Sequence, residues 1–323
     1  MPTILLTNKY SSKPKSIVES VIPVGFTLLT LNEASREELI HKSSYTDYLL
    51  VSGRLKIDEE VLAAACNLKM IQRTGVGTDM LDMDAITKRN IPIYVNKGVN
   101  SQSVAEYTIM LILASLKRLP IINANTKSGI WKKQESGVQT YELMRKTVGL
   151  VGLGAIGLLV ARMLKGFGVN IVYSDIKQVN VINEKELGLS YVSFPELLAQ
   201  SDIISFHCPL TAATYNMITE SEVAIMKTGV IIVNTARGGL IKEDALKKGL
   251  KSGKVSFAAL DAHAYEPIKH DNPFLQMENV ILTPHIGGVS YDAFYSMMKE
   301  AISNIVSFER GRITALEGKR LYE

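Results

Sequence analysis

The sequence predicts an α/β protein built from two doubly wound, largely parallel sheets. Short β-type apolar runs alternate with helix-like segments along the whole chain, and several runs are apolar at nearly every position. A glycine-rich turn also stands between one such run and a helix. At 323 residues the chain is too long for one ordinary core, so two domains are expected.

In the first part, strands are expected at 4–7 (ILLT), 26–31 (FTLLTL), 48–52 (YLLVS), 69–73 (KMIQR) and 91–95 (IPIYV). Between them Ala34–His41, Asp58–Ala65 and Met80–Arg89 repeat their apolar residues at helical spacing. Five βα units in about a hundred residues make one small doubly wound domain. A long amphipathic helix is expected over Val104–Leu119, with Pro120 as its stop. A second series starts at TVGLVGLG and continues through IVYSD, DIISFH, VIIVN and VSFAALD to VILTP. Its strands are nearly all apolar, as required when helices cover both faces of a sheet. The last helix, Tyr291 to Phe308, follows that series and is expected to pack back on the first domain. The domains are then 1–99 with 290–323, and 100–289, with crossings near Gly98–Ser101 and Gly287–Ser290 whose glycines suit hinges.

Composition excludes several function classes. With 36 basic and 32 acidic side chains the net charge is +4, scattered rather than clustered, so a solvated surface is indicated rather than a nucleic-acid surface, while anionic substrates remain compatible. Two cysteines, Cys66 and Cys208, fall in apolar stretches without metal-type spacing, so no metal site is expected and a reducing, cytoplasmic location fits. The stretch Ile109–Leu113 is too short to span a membrane, and the N-terminus lacks a cleavable signal pattern.

Gly152-Leu-Gly154-Ala-Ile-Gly157 matches G-x-G-x-x-G, with a strand (Thr147–Val151) before it and a helix (Ile156–Phe167) after it. In that setting Gly152 serves a tight turn, Gly154 the close approach of a pyrophosphate, and Gly157 the packing of helix on strand. Amides of Ala155 and Ile156 at the helix start would meet the pyrophosphate. Asp175 stands 18 positions after Gly157, where a carboxylate accepts from both adenosine ribose hydroxyls and repels a 2′-phosphate. The expected cofactor is therefore NAD, not NADP. Three later stretches each follow an expected strand: NTARGG (234–239), LDAHAYEP (260–267) and TPHIGG (283–288). Loops at the carboxyl ends of parallel strands face the ligand side, so Arg237, Glu266 and His285 arrive there together. Taken singly, each has an ordinary alternative: a capping arginine, a turn acid, a loop histidine.

Together with RTGVGTDMLD (73–82), NSQSVAEYT (100–108) and HCPLTAAT (207–214), in this order and spacing, the chain resembles the D-isomer-specific 2-hydroxyacid dehydrogenase family over nearly its whole length. The resemblance implies a flavodoxin-like substrate domain, a Rossmann NAD-binding domain, an active-site cleft between them, and a homodimer built largely through the NAD-binding domain. It implies Arg237, Glu266 and His285 as the catalytic set, and Asp261 as the ligand of the nicotinamide carboxamide. Cys208, Thr235, Ala236, Gly287 and Gly288 join the cofactor residues, with the two glycines giving room beside the nicotinamide. Amides at Val76 and Gly77 are implied to bind the substrate carboxylate.

The chemistry of such a set follows from its groups. Reduction of a 2-oxo acid produces an alkoxide that needs a proton; a histidine beside a carboxylate supplies it, the carboxylate favouring the imidazolium. Arg237 can hold the substrate carboxylate through paired hydrogen bonds and polarise the carbonyl. His207 and His263 are expected to be lining or structural, His41 and His270 exposed, and Trp131 packed.

Several stretches are most similar to the phosphoglycerate dehydrogenase branch, for which Arg54 is the candidate phosphate ligand and Arg73 a second. Ala262 and His263 depart from the commoner valine and aromatic, and Arg54 falls about two positions late. Glyoxylate, hydroxypyruvate and D-lactate therefore stand beside D-3-phosphoglycerate as substrates, ahead of formate or phosphite. An NAD(H)-responsive binding protein, as in the corepressor branch of the fold, is the alternative of another class.

Overall fold

The computed structural model describes residues 1–53 and 55–312, which fall into two compact units: Met1–Asn100 with the chain from Tyr291 onward, and Ser101–Ser290. In the first unit the elements run β1 (Thr3–Leu6), α1 (Ser12–Ser20), β2 (Thr27–Thr30), α2 (Arg36–Ser43), β3 (Tyr48–Val51), α3 (Glu59–Ala64), β4 (Met70–Arg73), α4 (Met83–Lys88) and β5 (Ile93–Val95). The five strands are all parallel, in the order β2-β1-β3-β4-β5.

Alternation along each strand splits the core into two layers. Leu5, Leu49, Val51, Ile71 and Val95 face α2, α3 and α4, while Ile4, Leu6, Tyr48, Leu50 and Met70 face the opposite side. That second side is covered by α1 and by the last helix, α13 (Tyr291–Glu309), through Phe294, Met297, Met298 and Ala301. Asn96, at the end of β5, donates from Nδ2 to the Met297 carbonyl at 2.8 Å and ties the returning helix to the sheet.

The second unit continues with α5 (Ser101–Leu116), α6 (Leu119–Lys127), α7 (Lys133–Gly137), β6 (Thr147–Val151), α8 (Ala155–Lys165), β7 (Asn170–Ser174), α9 (Val181–Leu187), β8 (Leu189–Tyr191) and α10 (Phe194–Gln200). It closes with β9 (Ile203–Phe206), α11 (Glu220–Ile225), β10 (Val230–Asn234), α12 (Glu243–Ser252), β11 (Val255–Leu260) and β12 (Val280–Leu282). Its seven parallel strands are ordered β12-β11-β10-β9-β6-β7-β8. The order reverses between β6 and β9, the place in an open parallel sheet where ligands commonly bind. Helices α5 and α8 cover one face and α10, α11 and α12 the other, around strands such as Val230–Asn234 with every residue buried.

Four sequence expectations need correction. Helix α1 is absent from the expected elements; in SKPKSIVES only Val18 is buried, so its apolar periodicity is too thin to register. The long helix ends at Leu116, and Pro120 lies in the first turn of α6 rather than acting as a stop. A first-turn residue needs no intrahelical N–H, which is why proline is tolerated there. Trp131 is not packed: it is 81 % exposed, on a stretch where neither α6 nor α7 buries a residue. Cys66 is exposed rather than apolar in setting, because it falls in the turn after α3, its thiol donating to the Ala63 carbonyl.

Candidate active site

Each of three loops in the second unit is shaped by a polar side chain. After β10, the Asn234 amide accepts from the Ala236 N–H (3.0 Å) and donates to the Arg237 carbonyl (2.8 Å), folding TARG into a turn. Arg237 is half-buried and donates to the Ala236 carbonyl at 2.8 Å. The next residue, Gly238, has to be glycine: a Cβ there would stand 2.0 Å from the backbone of His263. The loops bearing Arg237 and Glu266 are thus packed backbone to backbone.

After β11, Glu266 accepts from the His263 N–H (3.1 Å), and both its oxygens meet Nδ1 of His285, at 2.9 and 3.0 Å. An ionised carboxylate only accepts, so Nδ1 carries the proton in this pair and Nε2 is turned away from it. Nε2 has no hydrogen-bond partner among the described residues. His285 is 36 % exposed and Glu266 23 %, which leaves the imidazole reachable and its partner sheltered. His263 is structural, with Nε2 on the Thr283 carbonyl at 2.8 Å.

After β12 the backbone at His285 takes φ 57°, a left-handed conformation that costs a residue with a Cβ roughly 1–2 kcal/mol. Neighbouring bonds hold it there. Asp261, 1 % exposed, accepts from the Thr283 hydroxyl (2.6 Å), the Ile286 N–H (2.9 Å) and the Gly287 N–H (2.8 Å). Three of a carboxylate's roughly four acceptor sites are therefore spent on the histidine loop. One remains for any further donor. On the other side Gly287 accepts from Ser103 of α5, and a Cβ at Gly287 would press on Asp261 (3.0 Å) and Tyr107 (3.3 Å). Gly288 is half-buried beside it, and the Val289 N–H closes the turn on the Ile286 carbonyl at 2.8 Å.

The glycine-rich turn differs from these in having room. A Cβ at Gly152 (φ 94°) would stand 2.8 Å from the Cys208 backbone, and one at Gly157 2.4 Å from the Gly152 carbonyl, so both glycines serve the protein's own packing. At Gly154 a Cβ would meet nothing within 4 Å. Gly154 is the N-cap of α8 and brings no capping side chain, so the first-turn N–H groups at Ala155 and Ile156 face open space. Asp175 follows β7; its Oδ2 accepts from the Leu153 N–H (2.6 Å) and its Oδ1 from the Lys177 N–H (3.2 Å). A helix start with unpaired amides, space before it and a carboxylate beside it matches the pyrophosphate and ribose of a dinucleotide. The residues present fit NAD.

Cys208 enters this region through its backbone; its thiol lies 3.9 Å from the Met217 sulfur, and burial pushes it up to about 11. Its neighbour His207 bonds Ser205 at 2.9 Å, and burial pulls its ring down to about 4. Thr235 is buried against Thr108 of α5, hydroxyl to hydroxyl at 2.9 Å.

In the first unit, the loop after β4 exposes Val76, and Arg73 buttresses it by donating to the carbonyls of Gly77 (2.7 Å) and Val51 (3.2 Å). Arg73 is thus a brace for that loop. Arg54 lies outside the described residues. No pattern in NSQSVAEYT assigns a role to Ser103, Tyr107 or Thr108. Their partners lie more than a hundred positions away, beyond any local pattern.

Comparison with known proteins agrees with this geometry. The family model "D-isomer specific 2-hydroxyacid dehydrogenase, NAD binding domain" matches residues 109–287. A D-3-phosphoglycerate dehydrogenase of Archaeoglobus fulgidus is 39 % identical over 277 residues, 86 % of this chain and 52 % of its own; the chain spans about half the length of that relative. A glyoxylate reductase of Korarchaeum cryptofilum is 37 % identical over 97 % of this chain and 94 % of its own. Among solved structures, D-lactate dehydrogenase of Escherichia coli superposes with TM-score 0.85 at 26 % identity, covering 98 % of this chain and 99 % of its own. An NAD-dependent formate dehydrogenase of Staphylococcus aureus, in complex with NAD, superposes with TM-score 0.85 at 27 % identity, covering 97 % of both chains.

Proposed function

Because the chain belongs to the D-isomer-specific 2-hydroxyacid dehydrogenase family, we propose that it interconverts a small D-2-hydroxy acid and its 2-oxo acid with NAD. The observation that carries this reading is the His285–Glu266 pair. Nδ1 of His285 is held by both carboxylate oxygens, so Nε2 is the atom left to give a proton to a nascent alkoxide or to take one from a hydroxyl. Glu266 compensates the positive charge that the ring carries when Nε2 is protonated.

NAD, when bound, accepts or supplies the hydride. Gly154, Ala155 and Ile156 would hold its pyrophosphate and Asp175 its adenosine ribose, while the fourth acceptor site of Asp261 suits the carboxamide. Arg237 binds the substrate carboxylate and draws charge from the reacting carbonyl. Amides at Val76 and Gly77 are a second carboxylate-binding element, supported by the braced, exposed loop that bears them.

Two further parts of the reading rest on specific features. The chain forms a homodimer through its second unit, supported by exposed Leu119, Ile130, Trp131, Val138, Tyr141 and Met144 on one segment. Among the described residues no helix is long and apolar enough to cross a membrane, and a cytoplasmic enzyme fits the free cysteines.

The test is oxidation of NADH by the purified protein on addition of glyoxylate, hydroxypyruvate, pyruvate or phosphohydroxypyruvate. His285→Ala should abolish turnover and leave NADH binding intact. Tight NADH binding with no turnover of any acid would favour the corepressor-like reading. Arg54→Ala decides the substrate branch: selective loss on phosphohydroxypyruvate indicates the phosphoglycerate reaction, and equal behaviour on all acids indicates the glyoxylate or D-lactate type.

A further inference from the structure

Two hydroxyls on α5 point at the two loops that carry Arg237 and His285. Ser103, in the first turn, donates to the Gly287 carbonyl at 2.8 Å, two residues past His285. Thr108, 0 % exposed, shares a 2.9 Å hydrogen bond with Thr235, two residues before Arg237, and also donates to the Val104 carbonyl at 2.8 Å. The helix between them is no loose support: Ala105, Ile109, Leu111 and Ile112 belong to the same core as Val233 of β10 and Ala259 of β11. Five residues of helix fix a rise of about 7.5 Å between the two anchor points.

The geometry points to α5 as a common mount for both loops, with Ser103 and Thr108 as positioning residues for His285 and Arg237. This rests on the dehydrogenase reading above. At Gly287 the peptide is gripped from both sides, its N–H by Asp261 and its carbonyl by Ser103. Releasing either grip frees the left-handed turn at His285, whose own conformation is not the one a histidine prefers. Thr235 is the first residue of the turn that Asn234 folds, and its hydroxyl is a side-chain tie between that loop and the helix. Neither Ser103 nor Thr108 needs to touch substrate or NAD for this. Each sets where a reacting side chain sits.

The experiment compares Ser103→Ala, Ser103→Thr, Thr108→Val and Thr108→Ser, with Gln102→Ala as control. Gln102 lies on the same helix and reaches Glu106 at 2.6 Å. Assayed with NADH and the best 2-oxo acid, Ser103→Ala should lower kcat about 10- to 100-fold with KM little changed, as a misplaced reacting group does. Thr108→Val should raise KM for the oxo acid about 10-fold, the mark of a displaced carboxylate anchor. Ser103→Thr and Thr108→Ser, which keep the hydroxyls, should recover most of each loss. A lowered Tm accompanied by wild-type kcat and KM in Ser103→Ala and Thr108→Val would overturn the proposal.

If Ser103→Ala does not fold, Ser103→Cys keeps the volume with a weak donor and is read in the same way. A second readout does not need turnover. In protein labelled with ¹⁵N-histidine, the ring resonances of His285, identified by His285→Gln, should move in Ser103→Ala and stay put in Gln102→Ala. Unmoved resonances in Ser103→Ala would overturn the mount. A wild type that turns over no 2-oxo acid would instead refute the dehydrogenase reading, and the resonances still decide the role of Ser103.

Discussion

Gly154 and Gly157 lie three residues apart in the same turn, and the structure gives them opposite reasons to be glycine. A methyl group at Gly157 would stand 2.4 Å from the Gly152 carbonyl oxygen, roughly an ångström inside ordinary contact. The obstacle is backbone, so helix α8 must move away from β6, and overpacking of that kind costs about 1–3 kcal/mol. A methyl group at Gly154 meets nothing within 4 Å, and the backbone there has φ −73°, which alanine adopts freely. Its cost to the apo protein should be no more than about 0.5 kcal/mol, but it would occupy the space where a pyrophosphate must approach.

Thermal unfolding without cofactor should therefore show Gly157→Ala lower by roughly 3–10 °C for a unit of this size, and Gly154→Ala within about 2 °C of wild type. NADH titration followed by fluorescence should show the reverse pattern for Gly154→Ala, with affinity weakened about 10- to 100-fold. Equal thermal losses for the two variants would refute the assignment of separate roles, as would wild-type NADH affinity in Gly154→Ala.

Three other outcomes follow from features of the second unit. His207 is held neutral, its ring pulled from 6.5 to about 4, so the unfolded chain binds the extra proton between those values and stability falls as pH drops through that window. The loss should approach about 3 kcal/mol near pH 4, and His207→Gln should flatten this part of a urea-denaturation profile; an unchanged profile would show that burial does not hold the ring neutral. Asp175→Ala should weaken NADH and relax the preference against NADPH. It should also loosen the turn, because Leu153 loses its 2.6 Å acceptor; Asp175→Asn should preserve the turn, and unaltered cofactor preference in Asp175→Ala would sink the ribose assignment. Glu266→Gln keeps an acceptor for Nδ1 but loses the charge, and kcat should fall by about 10²–10⁴ with NADH affinity retained, measured by steady-state rates and cofactor titration.

Much of this molecule is legible from periodicity and punctuation. Strands such as YLLV and VIIVN announce themselves because both faces are buried, and the turn after β6 because its glycines stand at a known spacing. Arg237, Glu266 and His285 are legible as the polar residues that follow three apolar runs. What escapes is whatever depends on surface exposure or distant partners. Helix α1 presents a polar sequence, and Trp131 looks like core by residue type alone while lying open. Ser103, Thr108 and the three bonds of Asp261 are invisible because a hydroxyl or carboxylate in a sequence does not name its acceptor or donor. Sequence shows which groups are present; the fold decides which of them hold the others still.

The three loops of the candidate site hang from consecutive neighbours, β10, β11 and β12, and β12 is the edge of its sheet. Its three residues pair on one side only, with Ala258, Ala259 and Leu260, and all three are only half-buried. The proposed proton donor is thus mounted on an edge strand, and its flanking tethers carry the burden that a second neighbouring strand carries for β10. Amide hydrogen exchange should reveal this as a gradient, fast at β12 and slow at β10. Weakening the tethers would then disturb the placement of His285 long before it cost the protein its fold.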